Sequence, residues 1–270
     1  MSSTSIQLGL LVHSEREAAA KLAHRLQVLA SARGMTVTPI TIDANLDGID
    51  LIIGIGGDGT LLSAAAIAMD DGLPVVGVNL GRVGYLADIE QSSLDEMLDG
   101  IENQTLEEIS RMTIEASTTD GRTWTGINEV VVEKLESRRL VQIAVDIGGH
   151  YFTTYRADGI ITATSLGSTA YSLSAGGPVL DPALDALVVT PVAPHSLLSR
   201  SLVLTPRSVI RYTIDLDRPV RLNVDGKEAT ILSSGDTVTV RTGPQRVRFL
   251  SIGAHPFPQA VRHQFGLDHA

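Results

Sequence analysis

A chain of 270 residues is long enough to bury a substantial core, as one large domain or two of ordinary size, and 43% hydrophobic with 19% charged residues excludes a disordered protein. The absence of cysteine excludes disulfides and thiolate metal sites and leaves the cytoplasm as the expected compartment. A formal net charge of -10 repels polyanions, so no nucleic acid partner is expected, although a small anionic ligand stays open because local backbone amides and a few Arg override the global field.

Met1 to Ser5 carries no basic segment ahead of its apolar run, and Ile6 to Val12 is too short for a membrane span, so no membrane partner is expected and the run reads as a first buried strand. Glu15 to Ala32 follows, with Ala19, Leu22, Ala23, Leu26 and Leu29 at helical spacing and Gly34 closing the end. Met35 to Ile40 and Leu51 to Ile55 are further strands, Leu61 to Ala68 is a helix, and Pro74 to Val78 starts the next strand. This alternation predicts a mostly parallel sheet covered by helices.

After about Glu107 the pattern changes to short strands with Gly, Asp and Pro turns: Gly126 to Glu133, Val141 to Ile147, Gly159 to Ala163, Val209 to Leu216, Val220 to Val224 and Thr237 to Val240. Asp225-Gly226 and Gly148-Gly149 are hairpin signals. The expected organisation is therefore an α/β domain over 1–107 and a β-rich domain over 108–270, with the extreme C-terminus packing back on the first.

Gly54-Ile-Gly-Gly-Asp-Gly59 fits the G-x-G-x-x-G pattern between a buried strand and a helix, the setting of a dinucleotide-binding fingerprint. Three features oppose a dehydrogenase. The loop follows the third strand, the residue about 20 further on is Asn79 rather than an acid, and Asp58 stands where phosphates would approach. A carboxylate between glycines would repel phosphate unless it met a hydroxyl or a metal, which is what a phosphotransferase requires of a general base. The glycines let backbone amides face the phosphates, and the following helix points its positive end at them. The alternative is a tight turn in which Asp58 or Thr60 caps the helix. The chain has no G-x-x-x-x-G-K-[ST] loop and no H-R-D or D-F-G signature, so P-loop and protein-kinase machinery are excluded.

Gly-Gly-Asp-Gly-Thr is shared by NAD kinases and by diacylglycerol and sphingosine kinases, and in a close variant by phosphofructokinases. Asn128-Glu129 within Gly126 to Val132, and the block from Asp158 to Pro178, are closely similar to stretches characteristic of NAD kinases. The resemblance also takes in Gly77 to Tyr85 and Pro191 to His195, and runs to about Leu204. It implies transfer of a phosphoryl group from ATP, with polyphosphate as an alternative donor, to the 2′-hydroxyl of the adenosine ribose of NAD. It also implies Mg²⁺ or another divalent cation arriving with the donor, an NAD-binding second domain, and a homodimer or homotetramer.

Carried over by resemblance, Asp58 is the base and Gly57 and Gly59 line the donor phosphates. Asn128 and Glu129 hold the adenosine, which suits a carboxamide that pairs with an adenine edge and a carboxylate that accepts from ribose hydroxyls. A strand end capping a turn is the alternative for that pair. Thr169, Ala170, Tyr171 and Ser174 fall in the adenine-contacting block, where Tyr171 offers a flat face and a hydroxyl. Arg156 and Asp158 share a face of an extended segment, for the pyrophosphate and for the second ribose or nicotinamide, or else form an ordinary exposed pair. Arg139, beside Arg138, matches another nucleotide-contacting position. His195 is expected to be a buried structural histidine and His13 a surface or rim residue, and no protein metal site is expected. One departure is Leu166, where the family usually has proline, which predicts a freer turn. The rivals are a lipid or sugar kinase, for which no acyl pocket or sugar-phosphate clamp is found, and a sensor that binds NAD or NADP without turnover, which retention of Asp58 opposes.

Overall fold

The computed structural model describes residues 5–13, 17–81, 89–136, 139–195, 199–215, 218–253 and 257–267. Glu15, Arg82 to Tyr85, Arg138 and Leu216 therefore lie outside the described residues. Two compact units are present, one of residues 1–110 with 247–270 and one of residues 111–246.

The first unit begins with β1 (Gln7–Val12), α1 (Glu17–Ala32), β2 (Thr36–Pro39), β3 (Leu51–Gly56), α2 (Asp58–Ala68), β4 (Pro74–Asn79) and α3 (Leu94–Asn103). Its strands pair in parallel in the order β2-β1-β3-β4. Every residue of β3 is buried, which explains its unbroken apolar run. Helix α1 turns Ala19, Leu22, Ala23, Leu26 and Ala30 inward. It ends at Gly34, whose φ of 71° frees the Met35 amide to donate to the Ala30 carbonyl at 3.0 Å. These side chains share a core with Leu8, Leu10, Ile53, Ile55, Val76 and Val78, and with Leu94, Met97, Leu98 and Ile101 of α3. Helix α3 has no counterpart among the sequence-based elements, although its four core residues have helical spacing.

The second unit is built from β5 (Glu107–Thr118), β6 (Thr123–Gly126), β7 (Glu129–Lys134), β8 (Val141–Ile147), β9 (His150–Ala157) and β10 (Gly159–Thr164). A 3-10 turn at Leu166–Thr169 and the one-turn helix α4 (Tyr171–Ser174) follow. Then come β11 (Leu187–Val192), β12 (Leu202–Leu204), β13 (Ile210–Ile214), β14 (Val220–Val224), β15 (Lys227–Leu232) and β16 (Thr237–Ser251). The chain crosses between units within β5 and within β16. In the first unit the last residues of β16 lie parallel to β4, with Arg248 opposite Pro74, and α5 (Phe257–Gln264) closes the described chain.

Among the described residues, the pairings of β7, β10, β11, β12, β14 and β15, of β13 with β8 and β16, of β8 with β9 and of β5 with β6 are antiparallel. One sheet has the order β12-β11-β10-β7-β14-β15, β13 joins β16 to the β8-β9 hairpin, and β5 pairs with β6. The fold class is thus an α/β first part with a mostly parallel sheet and a β-rich second part. Both hairpin signals are found where the sequence placed them: Gly148 and Gly149 join β8 to β9 at φ 63° and 84°, and Asp225 and Gly226 join β14 to β15 at φ 47° and 74°. Two successive positive φ values match the twist of flanking strands.

Val130, Val132, Ile143, Val145, Ile160, Leu187, Tyr212 and Leu222 form the core of this unit. The Tyr212 hydroxyl, fully buried, is 2.6 Å from Thr162 Oγ1. Tyr212→Phe leaves the Thr162 hydroxyl without that partner and is expected to cost about 1–2 kcal/mol in urea-induced unfolding. An unchanged midpoint would mean that the pair contributes nothing to stability. Among the described residues no helix is long and apolar enough to cross a membrane.

Candidate active site

The glycine loop is the junction of β3 and α2. Helix α2 starts at Asp58, earlier than its apolar pattern suggests, so the carboxylate stands in the first turn, where the helix dipole favours negative charge. Gly57 precedes it in extended conformation without a side-chain cap. The Thr60 and Leu61 amides both donate to the Gly57 carbonyl, at 2.9 and 3.2 Å, and the amides that open a helix find no acceptor within it.

The three glycines differ in what requires them. A Cβ on Gly56 would collide with the Thr60 side chain, so Gly56 is fixed by packing. A Cβ on Gly57 or Gly59 would meet nothing within 4 Å, and neither has a left-handed φ. Their bare backbone instead borders a cavity of about 490 Å³, lined also by Leu11, Val12 and His13 at the end of β1 and by Ile42, Thr60 and Ser63. That volume lies in the range of small-molecule sites. Asp58, half-buried, lies between the two lining glycines without itself lining the cavity.

Asn128 and Glu129 belong to the second unit, and their setting corrects one expectation. Gly126 to Glu133 is not a single strand: β6 ends at Gly126, β7 begins at Glu129, and Ile127-Asn128 is a bend. The break has a physical cause. Asp225, in the turn after β14, accepts from the Ile127 amide at 2.6 Å, the Asn128 amide at 2.8 Å and the Glu129 amide at 3.0 Å, so these donors are withdrawn from ladder pairing. The Asp225 amide donates back to the Glu129 carbonyl at 3.0 Å.

The turn after β10 holds the same bend from its carbonyl side. The Thr164 amide donates to the Asn128 carbonyl and its hydroxyl to the Ile127 carbonyl, both at 2.8 Å. The Gly167 amide donates to Thr164 Oγ1 at 3.1 Å, and a Cβ on Gly167 would overlap the Asn128 carbonyl. Leu166 is buried in this turn, and Thr164 ties the turn to the bend through its amide and hydroxyl.

Glu129 is 6% exposed and its Oε2 is buried with no hydrogen-bond partner, while the Tyr171 amide at the start of α4 donates to its carboxylate. Burial, and then the charge of Asp225, push the Glu129 carboxyl up to about 7. Burial also raises Asp225, against the three amide bonds, which favour its charged form. A raised carboxyl with an unused acceptor makes Glu129 a candidate for a functional site.

Tyr171 is exposed, and its hydroxyl is raised by burial and by the nearby charges of Glu133, Asp158 and Glu129. Asp158, at the bend between β9 and β10, pairs with Lys134 Nζ at 2.5 Å, and Glu133 accepts from Asn223 Nδ2 at 2.7 Å. Sequence reasoning brought Glu129, Tyr171 and Asp158 together, but missed Asp225, Thr164 and Lys134. Asp225-Gly226 was legible only as a hairpin.

The remaining candidates are more peripheral. Arg156 is exposed on β9 with no ion pair among the described residues, and Arg139 is exposed with only a 3.8 Å contact to Glu136. Thr169 is half-buried and donates to the Leu166 carbonyl at 3.3 Å, Ala170 links the 3-10 turn to α4, and Ser174 is exposed at the end of α4. His195 is exposed rather than buried. Its backbone amide donates to the Arg156 carbonyl at 2.7 Å, and the chain has already left β11 there.

Residues 39–106 match the family described as ATP-NAD kinase N-terminal domain, and residues 127–252 the ATP-NAD kinase C-terminal domain. The chain is 35% identical over 275 aligned positions to an NAD kinase of Heliobacterium modesticaldum, covering 95% of this chain and 97% of that one. It is 38% identical over 227 positions to NAD kinase 2 of Streptomyces avermitilis, covering 82% and 75%. A structure of yeast NADH kinase complexed with NADH superposes with a TM-score of 0.86 at 22% identity, covering 100% of this chain and 90% of that one. An Archaeoglobus fulgidus NAD kinase in complex with ATP gives 0.77 at 22%, covering 97% and 98%. At that identity the two structures establish the fold.

Proposed function

Because the chain belongs to the NAD kinase family and phosphorylates NAD, we propose that Asp58 is its general base and that Asn128 and Glu129 hold the adenosine of NAD. Asp58 takes the proton of the adenosine 2′-hydroxyl, the freed oxygen attacks the terminal phosphorus of ATP, the bond to the bridging oxygen breaks, and ADP and NADP result. In-line transfer of this kind draws on positioning and electrostatics more than on covalent help from the protein. Gly57 and Gly59 leave room for the donor phosphates beside the first turn of α2, where backbone amides and the helix dipole favour anions.

The observation that carries the adenosine site is the buried, unpartnered Glu129 oxygen. A ribose hydroxyl donates to such an oxygen, and the neighbouring Asn128 carboxamide offers both a donor and an acceptor to an adenine edge. Tyr171 stacks on the adenine, with Thr169, Ala170 and Ser174 around it. Asp158 meets the second ribose or the nicotinamide, and Arg156 the pyrophosphate, with Arg139 as a further nucleotide contact.

Among the described residues no group of three or more His, Asp or Glu is placed to hold a metal ion. Mg²⁺ or another divalent cation would arrive with the donor, held by its phosphates, and would neutralise charge on them. We place the enzyme in the cytoplasm as a homodimer or homotetramer, with polyphosphate as the donor to be compared with ATP.

Incubation of the purified protein with NAD, ATP and Mg²⁺ yields NADP, and failure to detect it would overturn the reading. Asn128→Ala and Glu129→Ala are each expected to weaken NAD binding by roughly 10-fold without changing the KM for ATP. Unchanged calorimetric titrations would remove both residues from the site.

A further inference from the structure

We propose that Asp225 is the positioning residue of the adenosine site: from the turn between β14 and β15, its carboxylate gathers three consecutive amides and thereby sets where Asn128 and Glu129 stand. The proposal rests on the reading that those two residues hold NAD.

The geometry is specific to a carboxylate. The Ile127, Asn128 and Glu129 amides converge on its two oxygens at 2.6–3.0 Å, with Oδ1 serving two of them and Oδ2 the third. Three consecutive amides directed at one point make an anion-binding concavity, and here the chain fills it with its own charge. Gly126 makes the approach possible, since a Cβ there would stand 2.7 Å from Val224 Cγ1 and 3.0 Å from Asp225 Oδ1.

Turn chemistry admits Asp at this position but does not single it out. At φ 47° a glycine or asparagine serves the hairpin as well or better. What those residues lack is the anionic pair of acceptors. Thr164 and Gly167 restrain the bend through its carbonyls, so the amide side is held by Asp225. Loss of that hold frees Asn128 to turn its side chain and lets the Glu129 carboxylate leave the Tyr171 amide. Each motion removes a preformed contact for the nucleoside rather than for the phosphate donor.

Asp225→Asn is the informative variant, because it keeps the turn and the volume while removing the charge and facing one amide with another donor. The expected result is a KM for NAD raised roughly 10–100-fold, with the KM for ATP unchanged. A second readout separates positioning from general loosening. The titratable groups bearing on Glu129 are Asp225 and, from α4, Tyr171. Removing the Asp225 charge should therefore move the acid limb of kcat/KM for NAD to lower pH. A folded variant with the wild-type KM for NAD and the wild-type acid limb overturns the inference, as does an equal rise in both KM values. Should Asp225→Ala, tested beside it, fail to fold, the isosteric Asn variant decides. If Asn128→Ala and Glu129→Gln leave the KM for NAD unchanged, the adenosine-site reading itself fails. If they raise it and Asp225→Asn does not, only the positioning role fails.

Discussion

Replacing Asp58 by Asn is expected to lower kcat for NAD phosphorylation by roughly 10²–10⁴-fold while leaving NAD affinity largely intact. The amide has the size and polarity of the carboxylate but cannot accept the 2′-hydroxyl proton, so the loss falls on the chemical step. The competing role for Asp58 is structural, as an acid in the first turn of α2. The two roles separate quantitatively. Loss of a first-turn charge costs about 0.3–1 kcal/mol of stability and leaves kcat of the folded enzyme alone. Steady-state kinetics beside thermal unfolding therefore distinguishes them. An Asn variant with near-normal kcat and a lowered Tm would refute the base assignment and leave Asp58 as a helix-terminal charge.

The same loop shows how far sequence reasoning reaches. The β3 run, the glycines and the body of α2 are local features, and backbone geometry ties them to one another within a few residues, so strand, loop and helix were legible, although the helix starts at Asp58, three residues ahead of its apolar pattern. The β-rich half was less so. β14 and the Asp225-Gly226 turn were readable because alternation and turn chemistry are local. β5, β6, β9, β11, β12 and β15 have no counterpart among the predicted strands, since pairing partners rather than short-range pattern define them. The bend at Ile127-Asn128 illustrates the limit. Read along the chain, Gly126 to Glu133 is one extended apolar run. The carboxylate that breaks it lies 97 residues away in sequence from Asn128, and no local pattern could supply it.

The glycines make a similar division. Gly56, Gly126 and Gly167 are each required by their neighbours: the Thr60 side chain, the Val224 and Asp225 side chains, and the Asn128 carbonyl. Gly57 and Gly59 have no such neighbour. Sequence alone presents all five as the same residue. Only the three-dimensional surroundings separate glycines that permit packing from glycines that border a cavity, and it is the second kind that is proposed to face the donor.

Glu129→Gln is expected to stabilise the free enzyme relative to wild type as pH rises, and to weaken NAD binding at the same time. In the folded protein the carboxyl sits at about 7, whereas an unfolded Glu titrates near 4.3. Between those values the folded state holds a proton that the unfolded state has lost, so wild-type stability falls as pH rises through this window and levels off above it. The glutamine side chain of the variant carries no titrating proton. The stability difference between variant and wild type should therefore grow by about 2–4 kcal/mol from pH 4.5 to pH 7.5. Urea unfolding at fixed ionic strength measures it, and subtracting the two curves cancels the titrating groups that are not coupled to Glu129. Parallel curves would mean that Glu129 is not held near 7. Binding supplies the complementary test. Ribose hydroxyls that donate to Glu129 favour its charged form, so NAD binding near pH 6.5 should release a fraction of a proton from wild type and none from the variant. Calorimetry in buffers of different ionisation enthalpy reads that release directly, and equal release by both proteins would detach the buried carboxylate from the nucleoside.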